Sequence, residues 1–141
     1  MKLLSKTLFI AFLAVSSLLS ANEDEAPQYN FVGTHFMASY KECDVDALTN
    51  LPKLKEALIQ AARASGATVL DTVDYTFEPD GLTMVVLLSE SHASIHTYPE
   101  HRACFVDLFT CGHNCSAAKF DEALRSYLAP ADVTESVATR N

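Results

Sequence analysis

The chain has 141 residues, which is enough for one domain. Hydrophobic residues make up 49% of it and charged residues 20%, so the chain can build a packed core and is not composed like a disordered protein. The formal net charge of −8 argues against a nucleic-acid-binding protein, because phosphate binding requires clustered lysine and arginine.

Residues 1–21 have the pattern of a secretory signal peptide. Lys2 and Lys6 precede an apolar stretch from Leu8 to Leu19, and the small residues Ser20 and Ala21 follow it. This stretch is shorter than the roughly 20 residues that a membrane-spanning helix needs. We therefore expect an exported, periplasmic protein. The alternatives are an uncleaved membrane anchor, or a wrongly assigned start codon and a cytoplasmic protein.

The rest of the chain contains signals for both strands and helices. Runs of β-branched and aromatic residues predict strands, and apolar residues at helical spacing predict two helices. Ser116 is placed to cap the second helix, and Gly66 suits the left-handed position just past the first. In chain order we predict an acidic linker at 22–30, a strand at 31–40, a helix at 51–66, a strand at 67–77, a turn at 78–81, a strand at 82–89, a short strand, a strand at 103–110, a helix at 116–130 and a frayed tail at 131–141.

The order of these elements predicts the fold class. The sequence EPDG at 78–81 is a tight turn, so at least part of the sheet is antiparallel. A sheet that carries two helices on one face is the economical way to bury both sets of apolar side chains. We predict an α+β, two-layer α/β sandwich with a mostly antiparallel sheet, formed by a single domain at 31–130.

Four cysteines bear on redox chemistry and metal binding. Export would permit disulfides, and four cysteines allow three full pairings among which the sequence does not choose. Cys43 and Cys104 are expected to be buried as small apolar residues. Cys111 and Cys115 form a lone CxxxC without a second pair at zinc spacing, so we predict no metal site.

Reactive side chains crowd the segment that follows the strand at 82–89. Glu90 and Ser91 are followed within ten residues by His92, His96 and His101. One interpretation is a hydrolase with Ser91 as nucleophile and His96, which would fold back beside it, as base. That interpretation lacks the GxSxG turn of such enzymes.

A second interpretation uses Ser91 on its own backbone. Its hydroxyl would attack the carbonyl of Glu90 and turn the peptide bond into an ester, and elimination would then split the chain. The new N-terminus would carry a pyruvoyl group, an electrophilic carbonyl that forms a Schiff base with an amine and acts as an electron sink. A self-made cofactor of this kind suits decarboxylation.

Three stretches carry a resemblance to a known family. The segment SESHASIHTYPEH followed by VDLFTCG resembles the signature of S-adenosylmethionine decarboxylase, in its short prokaryotic, pyruvoyl-dependent form. GATVLDTVDYTFEPDG and GTHFMASYKECD resemble two further stretches of that family. The resemblance spans about residues 31–129, and it implies a two-layer α/β fold and a homodimer with sites near its interface.

The resemblance implies roles for five residues in cleavage and catalysis. Ser91 would be the pyruvoyl precursor, cut from Glu90 into a β chain and an α chain. His96 would be the proton acceptor in self-processing, assisted by Thr83 where the family often has serine. Cys111 would be the proton donor that reprotonates the product carbon after carbon dioxide leaves.

Substrate contacts are implied in the same way. Phe77 would stack on adenine, Glu100 would bind the ribose hydroxyls, and Tyr98 stands where the signature commonly has tryptophan. Arg102 and Ala103 replace a small residue and an aromatic one, and we expect this to affect the substrate. The alternatives to S-adenosylmethionine are arginine and ornithine. An exported, inactive binding homologue stays open as a different class of function.

Overall fold

The structure is a computed structural model that describes residues 31–141. The predicted signal peptide at 1–21 and the predicted linker at 22–30 lie outside the described residues. Within residues 31–141, no helix combines the length and the apolar character that crossing a membrane requires.

The described residues form one antiparallel sheet and three α-helices. The strands lie in the order β2-β3-β4-β5-β1-β6, and all five neighbouring pairs run antiparallel. The predicted fold class is therefore confirmed. The elements are β1 (Gly33–Lys41), α1 (Val45–Thr49), α2 (Leu51–Ala64), β2 (Val69–Phe77), β3 (Gly81–Leu88), β4 (Ser91–Tyr98), a 3-10 turn (Pro99–His101), β5 (Ala103–Thr110), α3 (Ala117–Leu128) and β6 (Asp132–Arg140).

Both long helices are confirmed, and their ends lie within two residues of the predicted ones. The Asn50 side chain accepts a hydrogen bond from the backbone N–H of Lys53 at the start of α2, and Gly66 follows that helix with φ +97°. Ser116 caps α3 by accepting from the N–H of Lys119. The buried faces of the two helices are Leu54, Leu58, Ala61 and Ala62 on α2, and Phe120, Leu124 and Leu128 on α3.

Helices cover one face of the sheet and leave the other uncovered within the described residues. Alternate residues of β3, β4 and β5 point toward the helices and are buried, as the two-residue period of a strand requires. No helix covers the other face within the described residues, and we call it the open face. Among its side chains are large apolar residues that solvent reaches: Val73, Tyr75, Phe77, Leu87 and Phe105.

The prediction of a frayed tail at 131–141 is wrong. Asp132–Arg140 forms β6, which pairs with β1 along nine residues from Gly33↔Arg140 to Lys41↔Asp132. This edge strand is largely exposed, so it shows no apolar alternation, and backbone pairing with β1 is what places it. The domain therefore extends to residue 140. The short helix α1 was also not predicted, because its single buried residue, Leu48, gives no period.

Candidate active site

The peptide between Glu90 and Ser91 lies in a tight hairpin turn. Ser89 and Glu90 link β3 to β4, and Leu88 pairs with Ser91 across the hairpin. Ser91 also pairs with Thr110 of β5, so it has a strand on each side. Its φ of +143° is a conformation that residues with a side chain rarely adopt, at a cost of about 1–3 kcal/mol. The predicted cleavage site therefore coincides with local backbone strain.

Neighbouring groups hold Glu90 from several directions. Its carbonyl oxygen accepts a hydrogen bond from the backbone N–H of Cys111 at 2.9 Å. Its carboxylate accepts one from the N–H of Thr68, also at 2.9 Å. A Cβ on Gly112 would lie 2.8 Å from Glu90 Cγ, so only glycine leaves this side chain in place. The carbonyl that Ser91 would attack is thus fixed and polarised.

Cys111 directly follows β5 and is half-buried beside a cavity of about 520 Å³. Burial and the nearby Glu90 carboxylate raise the pKa of the neighbouring Cys115 thiol above its ordinary value. All four cysteines are free, so Cys111 keeps the thiol that its predicted role requires. Cys43 and Cys104 are buried, as predicted.

His96 and Thr83 form a pair on the open face. They lie opposite each other in the β3–β4 register, and a hydrogen bond joins Thr83 Oγ1 to His96 Nδ1. The imidazole packs edge-on against Phe77, at 5.9 Å between ring centroids, and against Tyr98, at 4.7 Å. The ring is therefore held from three sides, and Nε2 remains as its second hydrogen-bonding atom.

A second cavity, of about 500 Å³, collects the residues predicted to bind substrate. It lies where β4 passes into the 3-10 turn and faces the loop between β2 and β3. Its lining combines aromatic rings with three carboxylate residues, Glu78, Asp80 and Glu100, and an aromatic ring beside a carboxylate suits a flat ring that carries hydroxyl groups. The lining includes Phe77, His96, Tyr98, Pro99 and Glu100.

The prediction that His96 folds back beside Ser91 of the same chain is wrong. β4 is extended from Ser91 to Tyr98, and five residues of strand span about 16 Å at roughly 3.3 Å per residue. Ser91 and Cys111 therefore lie at one end of the strands, while the cavity that contains His96 and Glu100 lies toward the other. Within a single copy of the chain, the two groups of predicted site residues are therefore far apart.

A polar cluster on the open face was not predicted as a unit. His35 Nε2 lies 3.1 Å from Asp107 Oδ1, and Ser94 Oγ donates to Asp107 Oδ2 at 3.4 Å. The three residues belong to β1, β5 and β4, so strand order brings them together and sequence spacing does not reveal them. His35 is therefore a hydrogen-bonded histidine. Among residues 31–141, no group of three His, Cys, Asp or Glu side chains is placed to hold a metal ion.

Comparison with known proteins identifies the family. A sequence model of S-adenosylmethionine decarboxylase matches residues 34–141. The chain belongs to this family. It is 40% identical over 97 residues to the S-adenosylmethionine decarboxylase proenzyme of Thermotoga petrophila, covering 69% of this chain and 75% of that protein. It is 38% identical over 117 residues to the proenzyme of Synechococcus sp. WH7803, covering 74% of this chain and 91% of the relative.

A solved structure agrees with these sequence matches. The crystal structure of the adenosylmethionine decarboxylase from Aquifex aeolicus superposes with a TM-score of 0.71 at 33% sequence identity, covering 77% of this chain and 90% of that one. The resemblance in the sequence is therefore confirmed, and the chain is an enzyme of the decarboxylase class. The relatives are named proenzymes, so their names denote precursors.

Proposed function

We propose that the protein is a self-processing, pyruvoyl-dependent decarboxylase that converts S-adenosyl-L-methionine to S-adenosyl 3-(methylthio)propylamine and carbon dioxide for spermidine biosynthesis. One observation carries the proposal: the strained Ser91 follows a carbonyl that the Cys111 N–H already polarises. The same two residues would later hold the reactive carbonyl and the proton that the product needs.

Self-processing would use groups that already surround the turn. Ser91 Oγ adds to the carbonyl carbon of Glu90, the peptide nitrogen leaves, and an ester replaces the amide. The N–H of Cys111 stabilises the negative charge that develops on the Glu90 oxygen. Loss of the Ser91 α proton then expels the Glu90 carboxylate, ends the β chain at residue 90 and leaves a dehydroalanine at the new terminus. Its imine tautomer takes up water and releases ammonia, which leaves the pyruvoyl carbonyl. Relief of the +143° φ favours the first step.

His96 would accept a proton in this sequence at Nε2, because Thr83 holds Nδ1. The distance of about 16 Å along β4 prevents it from doing so within its own chain. We therefore propose a homodimer in which His96 and Thr83 of one copy serve Ser91 of the other. Support comes from the open face, where exposed Tyr75, Phe77 and Phe105 offer an apolar surface for a second sheet.

The residues proposed to bind substrate have chemistry suited to a nucleoside. Phe77 would stack on the adenine, with Tyr98 as the second aromatic wall. The Glu100 carboxylate would accept hydrogen bonds from the ribose hydroxyls. When formed, the pyruvoyl group supplies an electrophilic carbonyl that takes up the electrons released as the carboxylate departs. The Cys111 thiol would then deliver a proton to the product carbon.

Intact mass of the purified full chain tests self-processing. We expect two fragments divided between Glu90 and Ser91, and a single whole chain for Ser91→Ala. A wild-type chain that stays whole would favour the inactive binding homologue. Cleavage of Ser91→Ala at this site would show that Ser91 is not the nucleophile. In protein isolated after expression with residues 1–21, the mass of the first fragment also reports whether that segment is removed, as our proposal of an exported enzyme requires.

Mixed expression tests the contribution in trans. His96→Ala and Ser91→Ala should each stay uncut when expressed alone. When they are co-expressed, the His96→Ala chain should be cut in mixed dimers, because its partner supplies His96. If co-expression yields no fragments although mixed dimers form, the proposed sharing of the site is wrong.

Carbon dioxide release from labelled substrates tests specificity. We expect turnover of S-adenosylmethionine and none of L-arginine or L-ornithine, because neither amino acid has a ring for Phe77 to stack on. Turnover of an amino acid without turnover of S-adenosylmethionine would establish the alternative decarboxylase.

A further inference from the structure

Two cysteines outside the proposed active site lie against each other in the core. Cys43 follows β1, and Cys104 is the second residue of β5, opposite Tyr40 in the β1–β5 register. Their relative exposures are 0% and 1%, and both side chains belong to the same buried core. Neither residue belongs to the cleavage turn or lines the cavity with Phe77 and Glu100.

Backbone contacts fix the approach of these two residues. The N–H of Cys43 donates to the carbonyl of Arg102 at 2.9 Å. In return, Arg102 Nε donates to the carbonyl of Cys43 at 3.1 Å. Because Arg102 lies two residues before Cys104, both sulfur atoms are carried by backbone segments already joined by hydrogen bonds.

We propose that Cys43 and Cys104 form a disulfide that covalently joins the two chains produced by self-cleavage. This rests on the proposed cleavage between Glu90 and Ser91. Cys43 is the single cysteine in residues 1–90, whereas Cys104, Cys111 and Cys115 all lie in residues 91–141. A bond from Cys43 to any of them would therefore span the cut.

The surroundings of the two thiols in the folded core make their acidities unequal. Contact with Cys104 and the Arg102 guanidinium lower the pKa of Cys43 against the opposing effect of burial, whereas contact with Cys43 and burial raise the pKa of Cys104. During folding, before the core closes over it, Cys43 loses its thiol proton and attacks a low-molecular-weight disulfide such as oxidised glutathione, which releases one thiol. Cys104 then attacks the Cys43 sulfur, gives up its proton and releases a second thiol. Two protein thiols are oxidised, and one small disulfide is reduced to two thiols.

The disulfide would be useful because the proposed cleavage removes the covalent link between β3 and β4. After cleavage, hydrogen bonds and packing are the forces that hold residues 91–141 to the rest of the sheet. The disulfide would add a covalent tie next to the 3-10 turn that carries Glu100. It would also leave Cys111 as a thiol, which a Cys111–Cys115 disulfide would not.

Electrophoresis of the full chain tests this proposal. The protein is refolded in a mixture of reduced and oxidised glutathione, its remaining thiols are alkylated, and it is run with and without reductant. We expect one band at the mass of the whole chain without reductant and two fragments with it. Cys43→Ser and Cys104→Ser should each give two fragments in both lanes, whereas the control Cys115→Ser should behave as wild type.

Peptide mapping of the alkylated, unreduced wild type locates the bond without any variant. A peptide containing Cys43 joined to one containing Cys104 is the expected product. Alkylated Cys43, or Cys43 joined to Cys111 or Cys115, would overturn the proposal. If the reduced chain stays whole, the proposed cleavage has failed, and the map still decides whether Cys43 and Cys104 are joined.

Discussion

The backbone N–H of Cys111 donates a hydrogen bond of 2.9 Å to the carbonyl oxygen of Glu90. Under the proposed mechanism this one residue would serve two steps: its amide would act on the bond to be cut, and its thiol would supply the proton in the decarboxylation that follows. The amide contribution survives any substitution of the side chain. For this reason, a Cys111 variant tests only the thiol, and the amide must be tested through a neighbour that positions the turn.

Gly112 is that neighbour. A Cβ at this position would lie 2.8 Å from Glu90 Cγ and 3.1 Å from Cys115 Sγ, so Gly112→Ala should displace the turn. We expect self-cleavage to slow at least about tenfold, which corresponds to about 1.4 kcal/mol of lost transition-state stabilisation. The rate is measured from the appearance of the two fragments. His113→Ala, at the adjacent exposed position, is the control, and equal rates in all three proteins would contradict the role of this contact.

Thr83 should influence cleavage through its hydrogen bond to His96. Thr83→Val keeps the shape of the side chain but leaves Nδ1 without its partner, so the imidazole loses its orientation. We expect self-cleavage roughly 10–100-fold slower, in the usual range for an acid–base group. Thr83→Ser restores the hydroxyl and should recover most of the rate. A serine variant as slow as the valine variant would show that the hydroxyl is not what matters.

Phe77 should affect substrate binding more than the rate of turnover. Base–aromatic stacking contributes about 1–3 kcal/mol, so Phe77→Leu is expected to raise the KM for S-adenosylmethionine about tenfold with a small change in kcat. Thr76→Ala changes the adjacent exposed residue, whose side chain points to the other face of β2, and serves as the control. A fall in kcat at unchanged KM would place Phe77 in the chemical step.

Tyr40 should stabilise the fold in a pH-dependent manner. Its buried hydroxyl donates to Asp121 Oδ1 at 2.5 Å, so Tyr40→Phe should lower the free energy of unfolding by about 1–2 kcal/mol at pH 7. Burial and Asp121 raise the Tyr40 pKa above its ordinary value of 10.0. The unfolded chain therefore ionises first, and the stability that Tyr40 adds is full below pH 10 and declines above it.

Urea unfolding of wild type and Tyr40→Phe between pH 7 and pH 10.5 measures how much Tyr40 adds to the free energy of unfolding. Tyr127, whose pKa is also raised by burial, is present in both proteins and cancels from the comparison. If the difference in free energy of unfolding between wild type and Tyr40→Phe stays constant above pH 10, the raised pKa of Tyr40 is not the cause of the pH dependence.

The features that the sequence predicted well are those that local signals encode. Ser116 and Gly66 mark helix ends by short-range backbone chemistry, and the apolar period of α2 identifies its buried face. β6 escaped prediction because its place depends on β1, whose paired residues from Gly33↔Arg140 to Lys41↔Asp132 lie far earlier in the chain, and no residue near Asp132 signals that pairing. Long-range pairing of an exposed edge strand leaves little trace in its composition.

In the candidate site, too, local sequence signals identified residues, whereas long-range strand pairing set their positions. The motif indicated which residues to consider, but the distance between Ser91 and His96 follows from β4 being extended rather than folded back. The cluster of His35, Ser94 and Asp107 requires the strand order to be known. Cys43 and Cys104 were predicted to be buried, yet their contact depends on the pairing of β1 with β5.

β4 is an interior strand of the sheet, and its first residue is bonded to strands on both sides. A chain cut there acquires a new terminus that cannot fray, because the sheet already holds it in register. Precursor and product would then share one architecture, and maturation would alter covalent connectivity while leaving every strand in place. A reactive group installed at that terminus would have the positional precision of a sheet interior, which a surface loop does not provide.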